Sequence, residues 1–226
     1  MTILYLLLCL SSGMALSTCD LVHNFLDGVQ CDDVQVRTQD SVDLVMQHVR
    51  RSSAHPSAGP YAAAPLHVIL QHGLLSSATA WTLNPANESL LGALFATEWN
   101  RPLDVWLWNA RGNGISGYPP AWNFTFDQMA LIDIPTMFAA SVGPAAVNDT
   151  VVYVAVSQGV AMGLAALSSV NVDATAAFRS SLDLFVGFGP VAHVGHLASK
   201  PLRLLADMHT EVLLEKFGPV FNMSFL

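Results

Sequence analysis

The chain has 226 residues and a net charge of −8 with histidine neutral. An acidic chain with no basic stripe and no Arg-rich run excludes nucleic acid as a partner. Charged residues make up 12% of the chain, against an ordinary share of about 25%, so long apolar segments must be buried or face lipid.

Ile3 to Leu10 is a short apolar core followed by small and polar residues, which reads as a signal peptide. Ala15 and Ser17 supply the small-x-small pattern and predict cleavage after Ser17, leaving 18–226 as one domain. A buried N-terminal strand is the other reading of the run, and Met1-Thr2 offers no side-chain charge. A transmembrane helix needs about 20 apolar residues. The run is shorter than that, and no later segment reaches the length without a polar interruption. Cleavage would remove Cys9 and leave Cys19 and Cys31 in an oxidising compartment, as a disulfide or as two thiols. Sequons begin at Asn87, Asn123, Asn148 and Asn222, in agreement with secretion or delivery to a lysosomal or other endomembrane lumen.

Val34 to Val49 predicts two strands around a turn at Thr38–Ser41. Arg50 to Pro65 is rich in Ser, Ala, Pro and Gly and predicts a surface loop. An alternation follows. Strands are predicted over Leu66–Leu70, Leu103–Trp108, Val151–Val156 and Leu182–Phe188. Helices are predicted over Leu90–Trp99, Phe126–Ala140 with an interruption at Pro135, and Ser157–Ser169. Strands alternating with helices imply a mostly parallel sheet with helices on both faces, whose site lies at the carboxyl ends of the strands.

Two strand ends carry chemistry. Tyr153-Val154-Ala155-Val156 runs into Ser157-Gln158-Gly159, with a helix of small residues behind it. That is the setting of a nucleophile elbow, whose tight turn demands small residues two before and two after the serine. Ala155 and Gly159 stand there, and Gly163 lets the helix approach the sheet. A helix N-cap is the plainer role for a lone serine; the strand before it and the upstream motif favour the elbow. The oxyanion of an ester's tetrahedral intermediate needs backbone donors. The candidates are Gln158, after the nucleophile, and Leu74, in the His72-Gly73-Leu74 loop. His72 reads as a residue hydrogen-bonded within that loop, not as the general base.

Several blocks resemble the acid lipase family, which includes gastric and lysosomal acid lipases. Val36 to Leu44 resembles its T-E-D-G-Y-x-L hairpin, with Ser41 where glycine is usual. Leu70 to Trp81 resembles its L-Q-H-G-L-L-x-S-x-x-x-W block. Asp104 to Asn113 resembles D-V-W-L-G-N-x-R-G-N, Phe124 to Pro135 resembles F-S-F-D-E-M-A-x-Y-D-L-P, and Gly189 to Ala192 resembles its A-P-V-A segment. Val156 departs from the family's histidine before the serine.

The resemblance implies an α/β-hydrolase fold. It implies no cofactor, a lipid–water interface as the place of action, and triacylglycerol or sterol ester substrates. Ser157 would be the nucleophile, with Leu74 and Gln158 as oxyanion donors and a His–Asp pair completing the triad. The family's Asp and His lie after later strands, and the chain ends at Leu226, about where the family's cap begins. The expectation is therefore a partial hydrolase domain with the C-terminal strands and most of the cap missing. His193, His196, His209, Asp183 and Asp207 are weak substitutes, and no triad is assigned from them. The alternative function is a non-catalytic family member that keeps the fold and binds lipid without turnover. A third reading is an α/β-hydrolase of another chemistry.

Overall fold

A computed structural model describes residues 17–52, 64–113, 115–117, 123–143, 149–170 and 172–191. The segment before Ser17, where a signal peptide is expected, the sequon asparagines Asn148 and Asn222, and His193, His196, Asp207 and His209 lie outside the described residues.

Helix α1 (Thr18–Phe25) opens on a capping box. The Ser17 side chain accepts from the Asp20 N–H, and Asp20 accepts from the Ser17 N–H. Strands β1 (Val29–Arg37) and β2 (Asp43–Arg51) form an antiparallel hairpin with Arg37 opposite Asp43. They begin earlier and run later than the hydrophobic pattern alone suggested, because Arg50 and Arg51 stay in the ladder opposite Gln30 and Val29. A disulfide joins Cys19 of α1 to Cys31 of β1.

Strand β3 (Leu66–Gln71), helix α2 (Leu90–Ala96) and strand β4 (Leu103–Trp108) come next. Helix α2 stops short of Trp99, since Thr97 turns extended and the Trp99 indole N–H closes back on the Leu94 carbonyl at 2.8 Å. Helix α3 (Phe126–Gln128), a π-helical turn (Met129–Asp133) and helix α4 (Ile134–Ser141) form one continuous rod. Pro135 has no N–H to give the carbonyl four residues back and its ring crowds that carbonyl, so the preceding turn widens. The Ile134 N–H accordingly reaches back to the Met129 carbonyl. The interruption predicted at Pro135 thus falls on the turn before it. Strand β5 (Thr150–Val156), helix α5 (Gln158–Ser168), helix α6 (Ala176–Ser181) and strand β6 (Leu184–Phe188) complete the described fold. Leu182 and Asp183 precede β6, where Asp183 exchanges hydrogen bonds with the Val151 backbone.

The six strands lie in the order β1-β2-β4-β3-β5-β6, antiparallel across β1, β2 and β4 and parallel from β4 through β6. Successive side chains of a strand face opposite sides of the sheet. Ile69, Trp108, Tyr153 and Ala155 therefore join one core with Met137, Phe138, Val160 and Phe178 of α4, α5 and α6. Val68, Leu70, Val105 and Val154 join the other with Val22, Leu91 and Phe95 of α1 and α2. Helices thus cover both faces, as in an α/β-hydrolase. Every residue of β3 is buried, as a central parallel strand requires. The chain leaves β3 for β4 on one side and returns to β5 on the other, so the strand order reverses at β3. The carboxyl ends of β3, β4 and β5 meet at that switch point, where open α/β sheets bind ligands. Among the described residues no single helix is long and apolar enough to cross a membrane.

Candidate active site

Strand β5 delivers Ser157 at that edge. Its backbone has φ 53° and ψ −115°, a left-handed φ that a side-chain-bearing residue adopts at a cost. Three bonds secure the turn. The Ser157 N–H donates to the Phe188 carbonyl at 2.9 Å, tying the turn to β6, and the Ser157 carbonyl accepts from the Val160 and Ala161 N–H groups. Ser157 stands half-buried at the turn between strand and helix.

The small residues around Ser157 are sterically required. A Cβ on Gly159 would stand 2.6 Å from the His72 carbonyl oxygen and 2.9 Å from that of Gln71, so any side chain would drive α5 off β3. A Cβ on Gly163 would stand 2.7 Å from both the Tyr153 and Phe185 rings. Ala155 is fully buried in the core beneath. The Tyr153 hydroxyl donates to the Gly159 carbonyl at 2.9 Å, and burial raises its pKa well above the ordinary value.

The loop after β3 comes against this turn. A Cβ on Gly73 would lie 3.1 Å from the Ser157 Cβ and 3.2 Å from the Val156 carbonyl oxygen. Val156 stands where the family has histidine, and its methyl faces the same spot at 3.6 Å. Leu74 follows, exposed, and Leu75 takes a left-handed φ of 56°. Gln158 is the first residue of α5, so its N–H has no acceptor within the helix. Leu74, Ser157 and Gln158 therefore belong to one strand-end cluster.

His72 is buried beneath them. Its Nδ1–H donates to the Gly73 carbonyl at 2.7 Å, while its Nε2 accepts from the Ala110 N–H at 3.2 Å and the Asn113 amide at 3.0 Å. Burial pushes its pKa down to about 4, against the smaller opposing effect of the Gly73 carbonyl. A neutral ring with both nitrogens engaged cannot serve as the base of a triad. Asp183 sits at the opposite end of the sheet, bonded to the Val151 N–H at 2.8 Å. Among the described residues no histidine hydrogen-bonds the Ser157 hydroxyl.

The loop after β4 supplies residues to which the amino-acid pattern assigned no role. Asn109 is fully buried. Its Oδ1 accepts from the Ala78 N–H at 2.8 Å, and its Nδ2 donates to the Val45 carbonyl at 2.9 Å and to Gln47 Oε1 at 3.0 Å. Arg111 has no side-chain exposure and pairs with Asp133 of the π-helical turn and with Asp40 of the β1–β2 hairpin at 2.5–3.1 Å. Arg111 holds the Asp40 carboxyl down to about 2, against the opposing effect of burial. The only signal for these residues was the length of the Asp104–Asn113 block.

Residues 24–85 match the family model described as the partial alpha/beta-hydrolase lipase region. The chain is 29% identical over 209 residues to lipase member M of Homo sapiens, covering 88% of this chain and 46% of that protein. It is 30% identical over 200 residues to the lysosomal acid lipase/cholesteryl ester hydrolase of Homo sapiens, covering 84% and 46%. The chain belongs to the acid lipase family. It is also 31% identical over 202 residues to the gastric triacylglycerol lipase of Rattus norvegicus, covering 84% and 47%. The acid lipase chain therefore spans about half the length of the curated relatives it matches. Among solved structures, the Pyrococcus furiosus esterase Pf2001 superposes with a TM-score of 0.56 at 17% identity, over 90% of this chain and 66% of that one, a likeness of fold.

Proposed function

We propose that this acid lipase chain provides the nucleophile for hydrolysis of lipid carboxylic esters, triacylglycerols or sterol esters, at a lipid–water interface. The observation that carries the reading is the left-handed backbone of Ser157 between β5 and α5, with Gly73 pressed against it. A strained serine at a strand-to-helix turn is costly for a helix cap and serves to expose its hydroxyl at the sheet edge.

Ser157 Oγ attacks the ester carbonyl carbon and passes its proton to a base. The carbonyl oxygen takes up negative charge and is held by the N–H groups of Leu74 and Gln158. Collapse of the intermediate breaks the bond to the alcohol, which leaves with the proton, and water then cleaves the acyl-enzyme. The family resemblance calls for a histidine base oriented by an aspartate. Secretion or a luminal home agrees with the Cys19–Cys31 bond and with exposed sequon asparagines Asn87 and Asn123.

The test is labelling by a fluorophosphonate probe, which reacts with activated serines. Labelling of the chain that disappears in Ser157→Ala supports the reading. A folded chain that takes no label overturns it in favour of a non-catalytic, lipid-binding family member.

A further inference from the structure

We infer that His72 is a positioning residue for the oxyanion site: its Nδ1–H holds the Gly73 carbonyl, and so aims the Leu74 N–H at the space before Ser157. The inference rests on the proposed role of Ser157 and Leu74.

The Gly73 carbonyl and the Leu74 N–H belong to one peptide unit. In a planar trans peptide they point in opposite directions, and the chain has no cis peptide bond among the described residues. Anchoring the carbonyl on His72, at 2.7 Å, therefore sends the N–H away from the buried imidazole. Ser157 packs against the same glycine, since a Cβ on Gly73 would meet the Ser157 Cβ at 3.1 Å, so an N–H turned away from the imidazole is available to the space before the serine. Glycine has no side chain to hold its own peptide plane, and the next residues, Leu74 and Leu75, are exposed. The loop needs an external anchor, and His72 is the side chain that grips that peptide's oxygen.

The surroundings of the ring select one neutral tautomer. Nε2 must accept from Ala110 N–H, which fixes the proton on Nδ1. Ala110 lies directly after β4, so the imidazole ties the β3 loop to the β4 loop at the switch point. Arg111, the nearest cation in that loop, is taken up by Asp133 and Asp40. Burial keeps the ring neutral down to about pH 4. Below that, a second ring N–H would face the Ala110 N–H and break the tie to the β4 loop, while Nδ1–H would still reach the Gly73 carbonyl.

The experiment compares fluorophosphonate labelling rates of the wild-type chain, His72→Phe and His72→Asn, with thermal melts of each. His72→Phe keeps the volume and loses both bonds. His72→Asn can place an amide N–H near the Nδ1 position. Loss of an oxyanion donor slows acyl chemistry about 100- to 1000-fold, and a misdirected one should cost about 10- to 100-fold on that scale. The expected result is a loss of that order in His72→Phe at unchanged probe affinity, with most of the rate restored in His72→Asn. Wild-type labelling with an unaltered rate in folded His72→Phe overturns the inference alone. Absence of wild-type labelling overturns the nucleophile reading and this inference with it. If His72→Phe does not fold, the imidazole nitrogen NMR spectrum of the wild-type chain decides. A proton on Nδ1 at neutral pH supports the anchor, and the tautomer protonated only on Nε2 overturns it.

Discussion

Gly73 and Ser157, 84 residues apart in the chain, approach so closely that a single methyl on Gly73 would stand 3.1 Å from the Ser157 Cβ. The same methyl would meet the Val156 carbonyl at 3.2 Å, and neither neighbour is the free end of a flexible chain. Gly73→Ala must therefore push the loop after β3 away from the serine by a few tenths of an ångström. Fluorophosphonate labelling is expected to slow by about ten-fold or more, because positioning errors on this scale act on the transition state. The fold should lose only about 1–2 kcal/mol by denaturant unfolding, the ordinary cost of modest overpacking.

Gly159 offers a harsher version of the same test. A Cβ there meets the carbonyl of His72, just past β3, at 2.6 Å and that of Gln71, the last residue of β3, at 2.9 Å, whereas one on Gly163 meets the rings of Tyr153 and Phe185. Rings can tilt, but a central strand cannot move aside. Gly159→Ala should cost about 3 kcal/mol, at the top of the overpacking range, and Gly163→Ala about 1–2 kcal/mol. Chemical denaturation of the two variants side by side checks the ranking.

Ser41 holds the hairpin turn with φ 67°, in the place where the family carries glycine. The turn tolerates it because Thr38 Oγ1 accepts from the Val42 N–H at 2.9 Å and the Thr38 N–H donates to the Val42 carbonyl at 2.9 Å. Glycine adopts this conformation without a Cβ penalty, and its greater freedom in the unfolded chain offsets part of the gain. Ser41→Gly is expected to raise stability by about 0.5–1 kcal/mol. A lower melting temperature would show that Ser41 contributes something other than strain.

How much of this was legible follows from what each residue depends on. Strands β3, β4 and β5 are buried on both faces, so they read as unbroken apolar runs, and their limits matched the pattern to within a residue. Ser157 was legible because a small residue on either side of a serine after a strand serves a steric need. Its left-handed backbone was not, since nothing in its identity signals φ. Arg111 was least legible. A charged residue in a polar loop normally reads as solvated, and its burial follows from Asp40 and Asp133 arriving 71 positions before and 22 after it. The anchoring of His72 likewise depends on Ala110 and Asn113, which reach it only when β3 and β4 pair.

Arg111 and Asp133 are both without side-chain exposure and make paired contacts at 2.7–3.1 Å. Removing one partner of a buried pair strands the other's charge, which costs about 3–5 kcal/mol. Arg111→Met should lose that amount, and Asp133→Asn less, since Asp40 still pairs with the guanidinium. The double variant Arg111→Met/Asp133→Leu should lose clearly less than the sum, since Asp40 is partly exposed and water can solvate it once Arg111 is gone. Additive losses in a double-mutant cycle would show that the two residues act independently.

At the opposite end of the sheet His67 bridges two carboxylates, Asp104 Oδ2 at 2.7 Å and Asp149 Oδ2 at 3.0 Å. His48 also bonds Asp104, Arg50 reaches both His48 and Asp32, and Arg101 holds Thr150 beside Asp149. Burial works against charge on His67, but Asp104 and Asp149 outweigh it, and the pKa is raised above 6.5. Asp104 is lowered, since His48 and His67 overcome the effect of its burial. A raised histidine pKa means that the folded state binds the proton more tightly than the unfolded chain. Its stabilisation is complete below about pH 6.5, the unfolded value, and is lost as pH rises through the higher folded value. The lowered Asp104 contributes above about pH 3.9 and loses its effect as pH falls through its folded value. Together they favour a folded state in mildly acidic solution. The melting temperature should therefore rise between about pH 8 and pH 6. His67→Gln should remove most of that rise while leaving fluorophosphonate labelling of Ser157 intact at pH 6, because the bridge lies at the far end of β3 from the serine. A wild-type melt that is flat or falls over this interval would show that the His67 bridge does not carry the proton in the folded chain.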